Sequence, residues 1–234
     1  STNHLTANDT PNTIFFQEGV TANLDTQGFP INRTHSSNGS AWFDGVASYI
    51  NAGSGPTIDN IWDGGGTIEC WIKAYGVGGG TSGRILDKRG SASGWSFYVQ
   101  VLSSNTCELA MYQDWAGSDI YWVTAGKPIT LGQWHHIVCR HDNSTPTNNV
   151  QIYVDGTRVA MDAPSTTSNT ARVDDSSSNL IIGNDTSFTY EFDGFIDEVR
   201  IYDRLLTDGG VAEGAVAGGE IKKNYKHGKS KHKN

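Results

Sequence analysis

Apolar and polar residues alternate with a period of two in segment after segment of the chain, and that period predicts β-strands. Ile68, Cys70 and Ile72 alternate with Glu69, Trp71 and Lys73. Trp95, Phe97, Val99 and Val101 alternate with Ser96, Tyr98 and Gln100. The spacing returns at Cys107, Leu109 and Met111, at Ile120 and Trp122, at Ile137 and Cys139, and at Val150, Ile152 and Val154. It returns again at Leu180 and Ile182, and at Phe195, Asp197, Val199 and Ile201. Side chains two apart share a face of a strand, so each segment offers one face to a core and one to solvent.

Turn-forming residues separate these segments, at 77–83, 88–94 and 142–149. Asp155-Gly156, between Val154 and Thr157, predicts a tight hairpin over 149–161, because this pair adopts the positive φ angles of a type I′ turn. One or two turns of helix are expected after Thr207-Asp208, where a capping residue precedes a glycine-weakened run. No repeat of solenoid length is present. A chain of 234 residues is long enough for one all-β antiparallel sandwich of two sheets. Residues 1–39 read as an extension with the first strands, 40–205 as the sandwich, and 206–234 as a helical segment with a Lys-rich tail.

Composition agrees: 28 Gly, 10% aromatic and 18% charged residues suit short strands joined by many turns. The net charge of -8 excludes a general nucleic-acid binder, which needs a basic surface. The charge is uneven, however. Six Lys against one Glu after Gly219 make the tail basic and leave the body more acidic than the total suggests. Cys70, Cys107 and Cys139 stand in apolar runs with no CxxC pair, and are expected as buried thiols. No apolar run approaches the ~20 residues needed to span a bilayer, so no membrane partner is expected.

Four segments carry a family resemblance: Ala41-Trp42-Phe43-Asp44-Gly45 with Tyr49-Ile50; residues 66–73; Trp134-His135-His136-Ile137-Val138 leading to Tyr153-Val154-Asp155-Gly156; and residues 192–202. In order and spacing they resemble the laminin-G-like domains of the concanavalin-like lectin/glucanase superfamily. The resemblance implies a jelly roll of two curved antiparallel sheets, binding of glycans or proteins, and often a Ca2+ ion. Glu220-Ile221-Lys222-Lys223-Asn224-Tyr225 with the basic tail is similar to the ends of laminin-G-like proteins in marine bacteriophage genomes, which implies a virion surface protein. The Gly-rich stretch from Gly209 to Gly219 departs from the usual compact ending.

Jelly-roll glucanases present their acids as Glu-x-Asp-x-x-Glu along one strand, since retaining hydrolysis needs two neighbouring carboxylates. Glu191-Phe192-Asp193 begins that pattern, but Ile196 stands where the third acid belongs. His135 and His136 point to opposite strand faces with no nucleophile identifiable beside them. No enzyme is expected. Asp197 shares parity with Phe195, Val199 and Ile201 and is expected on the apolar side, where a carboxylate needs a counter-charge or hydrogen bonds. The resemblance implies a structural Ca2+ at Asp197 completed by Gly45, with Asp44 beside it. The run 174–179 and Asn184-Asp185 read as solvated turns.

The strand face away from the core shows Trp71, Tyr98, Tyr112, Tyr121 and Tyr153 among Glu69, Lys73, Gln100, Glu108 and Gln151. Rings among amides and acids suit sugar rings or a protein interface, although Trp71 is expected to pack under loops. Trp115, in a polar loop, is the expected exposed contact. The tail residues Lys222, Lys223, Tyr225, Lys226, Lys229, Lys231 and Lys233 read as an assembly segment that docks on an acidic neighbour, another copy of the chain or another virion protein. The functional expectation is a non-enzymatic adhesion module on a virion surface that contacts glycans; the alternative is a free, extracellular Ca2+-dependent lectin domain.

Overall fold

The computed structural model describes residues 12–13, 40–90, 93–103, 105–142, 150–166 and 171–215. The tail residues Lys222 to Lys233 and most of the N-terminal extension lie outside the described residues. The strands are β1 (Asn12–Thr13), β2 (Ala41–Asp44), β3 (Ile50–Gly53), β4 (Gly66–Ala74), β5 (Arg84–Asp87), β6 (Trp95–Ser103) and β7 (Thr106–Gln113). They continue with β8 (Ile120–Val123), β9 (Ile129–Thr130), β10 (His135–His141), β11 (Gln151–Val154), β12 (Thr157–Arg158), β13 (Leu180–Ile182) and β14 (Asp193–Tyr202). The alternating segments of the sequence are β4, β6, β7, β8, β10, β11, β13 and β14.

These strands form two antiparallel sheets. The first runs β1-β14-β4-β10-β11-β12, with β2 also paired to β14. The second runs β3-β13-β5-β6-β7-β8, with β9 paired to β7. Their inward faces meet in one apolar core, to which β4 gives Ile68, Cys70 and Ile72 and β7 gives Cys107, Leu109 and Met111. All three cysteines are free and buried, as their apolar settings predict. The expected hairpin forms at Asp155 and Gly156, with φ of 52° and 78°. At Gly183, φ is 80° and a Cβ would fall 1.9 Å from the Phe43 ring, so this close approach of backbone to core requires glycine.

Trp115 is not an exposed contact: it is 5% exposed and belongs to the core. Its backbone bridges Arg172, which stitches the loop over the end of the sandwich. There Trp62, Trp115 and Trp122 surround His141 with ring centroids 5.2 to 6.5 Å from the imidazole.

The helix expected after Thr207 is present as α1, over 208–215. Thr207 caps it, its Oγ1 accepting the Gly210 N–H at 3.1 Å. α1 packs on the outer face of the first sheet, where Val138, Tyr153, Tyr202, Leu206 and Val211 make a second, small core. No described helix is long and apolar enough to cross a membrane.

Candidate functional site

The parity expected along β14 does not hold. Its register with β4 slips between Asp197 and Arg200, where Glu198 takes φ of 50°. Such a bulge inserts one residue and turns the strand over. Ile196, Val199 and Ile201 therefore face the core, while Phe195 and Asp197 face outward. Asp197 lies opposite Trp71, whereas Asp193, four residues earlier, lies opposite Asp44. Four residues of strand span roughly 13 Å, so Asp197 cannot share an ion with Asp44 and Gly45, and the Ca2+ set implied by the resemblance does not fit.

The residue that meets Asp44 and Gly45 is Asp193. The Gly45 N–H donates to the Phe192 carbonyl at 3.1 Å, and a Cβ on Gly45 would lie 3.0 Å from the Asp193 Cβ. Burial and then the charge of Asp44 push the Asp193 carboxyl up. Burial also works to raise Asp44, but the N–H groups of Ala47, Val46 and Ser48 outweigh it and hold that carboxyl below its usual range. Among the described residues, no three or more His, Cys, Asp or Glu side chains are grouped to hold a metal ion.

Beside this acid pair the outer face of the first sheet carries four aromatic rings, three in mutual contact and the fourth, Trp134, joined to them through Phe195. Trp42 lies 4.8 Å from Phe195 and 5.7 Å from Tyr75, centroid to centroid. Phe195 lies 6.2 Å from Tyr75 and 6.1 Å from Trp134. The Lys73 ammonium sits 5.5 Å over the Tyr75 ring. Trp42 is 36% and Tyr75 43% exposed. The cluster lies outside both apolar cores and leaves an apolar patch on the surface. The sequence pattern alone did not single it out, although Tyr75 continues the outward parity of Glu69, Trp71 and Lys73, and Trp134 that of His136.

The tyrosines expected on one contact face divide between two sheets. Tyr98, Tyr112 and Tyr121 lie outward on the second sheet, with Tyr112 opposite Tyr121 and the Tyr98 and Tyr121 rings 6.4 Å apart. Tyr112 and Tyr121 are partly exposed, Tyr98 buried. Tyr153 is on the first sheet and is only 3% exposed, because α1 covers it and its hydroxyl donates to Asp208 at 2.9 Å. It is a docking residue for α1 rather than a contact. Trp71 is buried against His136, ring centroids 5.3 Å apart.

The histidines are structural. His135 Nδ1 donates to Asp155 at 2.8 Å, because its Nε2 accepts the Thr130 N–H at 3.1 Å. Both nitrogens of His135 are thus engaged within the protein. His136 has no exposed surface and lies 3.3 Å from Glu69. Burial works to raise Glu69, but His136, Tyr202 and Arg200 hold it low. Ile196 is fully buried, so the broken acid pattern has no substitute at that position.

The turns expected to be solvated are so only in part: Asp174, Ser176, Ser177 and Asn179 are exposed, whereas Asp175, Ser178, Asn184 and Asp185 are buried. Lys88, with no exposed side-chain surface, lies 2.6 Å from Asp59 and 3.6 Å from Asp175 and donates to the Ser178 carbonyl. Arg172 pairs with Asp175 at 3.1 Å and with Asp63 at 2.7 Å. Asp175 and Asn184 are fully buried. Two buried cations, Lys88 and Arg172, draw Asp175 inward, which local composition does not reveal.

Residues 43–212 match a laminin-G family model of the Concanavalin A-like lectin/glucanases superfamily. None of the curated proteins compared matches the chain. Among solved structures, the binding domain of Paraclostridial Mosquitocidal Protein 1 is similar at a TM-score of 0.53 and 17% identity, over 77% of this chain and 47% of that one. The receptor binding domain of botulinum neurotoxin mosaic serotype C/D is similar at 0.52 and 9%, over 77% and 45%. This chain thus spans about half of those toxin domains. A heptameric SAP-like pentraxin from Limulus polyphemus is similar at 0.46 and 18%, over 65% of this chain and 70% of the pentraxin.

Proposed function

The chain belongs to the Concanavalin A-like lectin/glucanases superfamily, and from that premise we propose a non-enzymatic adhesion module that holds glycan on Trp42, Tyr75, Phe195 and Trp134. The observation that carries this reading is the chain of contacts among those rings together with the exposure of Trp42 and Tyr75. Pyranose rings stack their C–H faces on aromatic surfaces, while hydroxyls reach flanking polar groups, here Lys73 and the Asp44–Asp193 pair. The engaged nitrogens of His135 and the core position of Ile196 support the absence of catalysis.

We place the module on the surface of a phage virion, on the resemblance of its ending to marine phage proteins, with the Lys-rich tail docking on an acidic neighbour. Removing residues 222–234 should then abolish incorporation or oligomerisation and leave sugar binding intact. A free Ca2+-dependent lectin is the second reading, favoured by the acid pair beside the rings. The test of glycan binding is calorimetric titration with neutral oligosaccharides. Trp42→Ala should weaken binding about tenfold, the worth of one stacked ring, with an unchanged unfolding midpoint. Equal binding by Trp42→Ala and Tyr75→Ala would remove the cluster as the site.

A further inference from the structure

The outer face of the second sheet holds a cation, Arg84, whose hydrogen-bonding capacity is only partly used. Arg84 begins β5 opposite Tyr98. Its guanidinium carbon lies 3.9 Å over the Tyr98 ring and 4.6 Å from that of Tyr190, so the group is stacked between them. Nε and Nη1 are buried and have no hydrogen-bond partner among the described residues. The paired carboxylate, Asp87, approaches Nε only to 3.7 Å. Its oxygens are engaged elsewhere, Oδ2 by the Ser96 hydroxyl and Oδ1 by the Arg89 N–H. Burial also pushes Asp87 up to about 6, which weakens its charge as a counter-ion.

The surroundings are polar and partly open. Gln100 donates to the Tyr121 hydroxyl and, at 3.3 Å, to Glu108. Gln100, Glu108 and Tyr121 are all partly exposed. Asp185, the other acid near Asp87, is occupied by the N–H groups of Ser187, Thr189 and Tyr190. Arg84 keeps 13% of its side-chain surface open. A planar guanidinium fork matches a carboxylate better than a hydroxyl, and a carboxylate would approach Arg84 at the part of its side chain that stays open.

We propose that Arg84, with Tyr98, Tyr121, Gln100 and Glu108, forms a second binding site, selective for saccharides that bear a carboxylate. The carboxylate lies on Arg84, the sugar ring lies along the tyrosines, and hydroxyls bond to Gln100 and Glu108. This site is on the sheet opposite the Trp42 cluster and goes beyond the glycan reading made there.

Calorimetric titration of the full chain tests it with two matched pairs: 3′-sialyllactose against lactose, and trigalacturonate against galactotriose, with acetate as the free carboxylate. At least one acidic sugar should bind about tenfold or more tighter than its neutral partner, as a charge-assisted bond requires, and acetate should not compete at the same concentration. Arg84→Gln should remove that preference. Because Arg84 also packs, Gln100→Ala is the second variant, and it should weaken acidic-sugar binding with an unchanged unfolding midpoint. Trp42→Ala should leave the preference intact, which separates the two sites. Equal binding of acidic and neutral sugars, no binding of either acidic sugar, competition by acetate, or an undiminished preference in both Arg84→Gln and Gln100→Ala would each overturn the proposal.

Discussion

Lys88 Nζ lies 2.6 Å from Asp59, and the lysine side chain has no exposed surface. The same ammonium donates to the carbonyls of Asp175 and Ser178, so one residue at the end of β5 ties the loop before β4 to the loop before β13. Removing one partner of a buried pair strands the others. Lys88→Ala should therefore cost ~3–5 kcal/mol of stability, measured by urea unfolding. A loss below about 1 kcal/mol, the value of a surface pair, would show that the pair is not buried in solution.

Asp87 supplies a pH signature. Its folded-state value of about 6 lies above the ordinary 3.8 because burial disfavours the charged form. A raised carboxyl leaves stability intact below the unfolded value, and stability is lost as pH rises toward and through the folded one. Asp87→Asn should accordingly gain roughly 1–3 kcal/mol at pH 8 and nothing at pH 4, since each tenfold change in proton affinity on folding is worth about 1.4 kcal/mol. An equal effect at both pH values would place the change in packing rather than in charge.

Much of the sandwich was legible because its signal is local. A period of two assigns Ile68, Cys70 and Ile72 inward without knowledge of their partners, and Asp155-Gly156 announces its own turn. The candidate sites depend on relations that a linear pattern does not encode. A bulge at Glu198 moves Asp197 to the outer face, and no residue type in that stretch marks it. Trp115 has polar neighbours in sequence, yet Arg172 draws its loop over the core. Tyr98 and Tyr153 have the same outward parity but sit on opposite sheets, because periodicity gives a face and not the sheet to which it belongs.

The place of a divalent cation can be tested at Asp193. Like charges at Asp44 and Asp193 raise the cost of ionising the second acid, and an ion between them would relieve it. Ca2+ is expected to raise the unfolding midpoint of the wild type and EDTA to reverse the rise. Asp193→Asn should abolish the response and Asp197→Asn should retain it. A wild-type midpoint indifferent to both reagents would rule out calcium at this pair.

Gly214 governs the docking of α1. A Cβ there would stand 2.9 Å from Glu69 Oε2 and 3.1 Å from the His136 ring. Glu69 cannot readily yield, since Tyr202 donates to its Oε1 at 2.7 Å and Arg200 at 3.1 Å. Gly214→Val adds two further methyl groups to that contact and should lift the helix, at about 1–3 kcal/mol for an overpacked site. Lifting α1 would open Tyr153, Tyr202 and Val138 to water and break the bonds of Arg140 to Asp208 and to the Leu206 carbonyl. Hydrogen exchange over 208–215 should then accelerate while β6 and β7, in the other sheet, stay protected. Unchanged protection of the helix would show that α1 is held by Val211 and Leu206 alone, with Gly214 free of the Glu69–His136 pair.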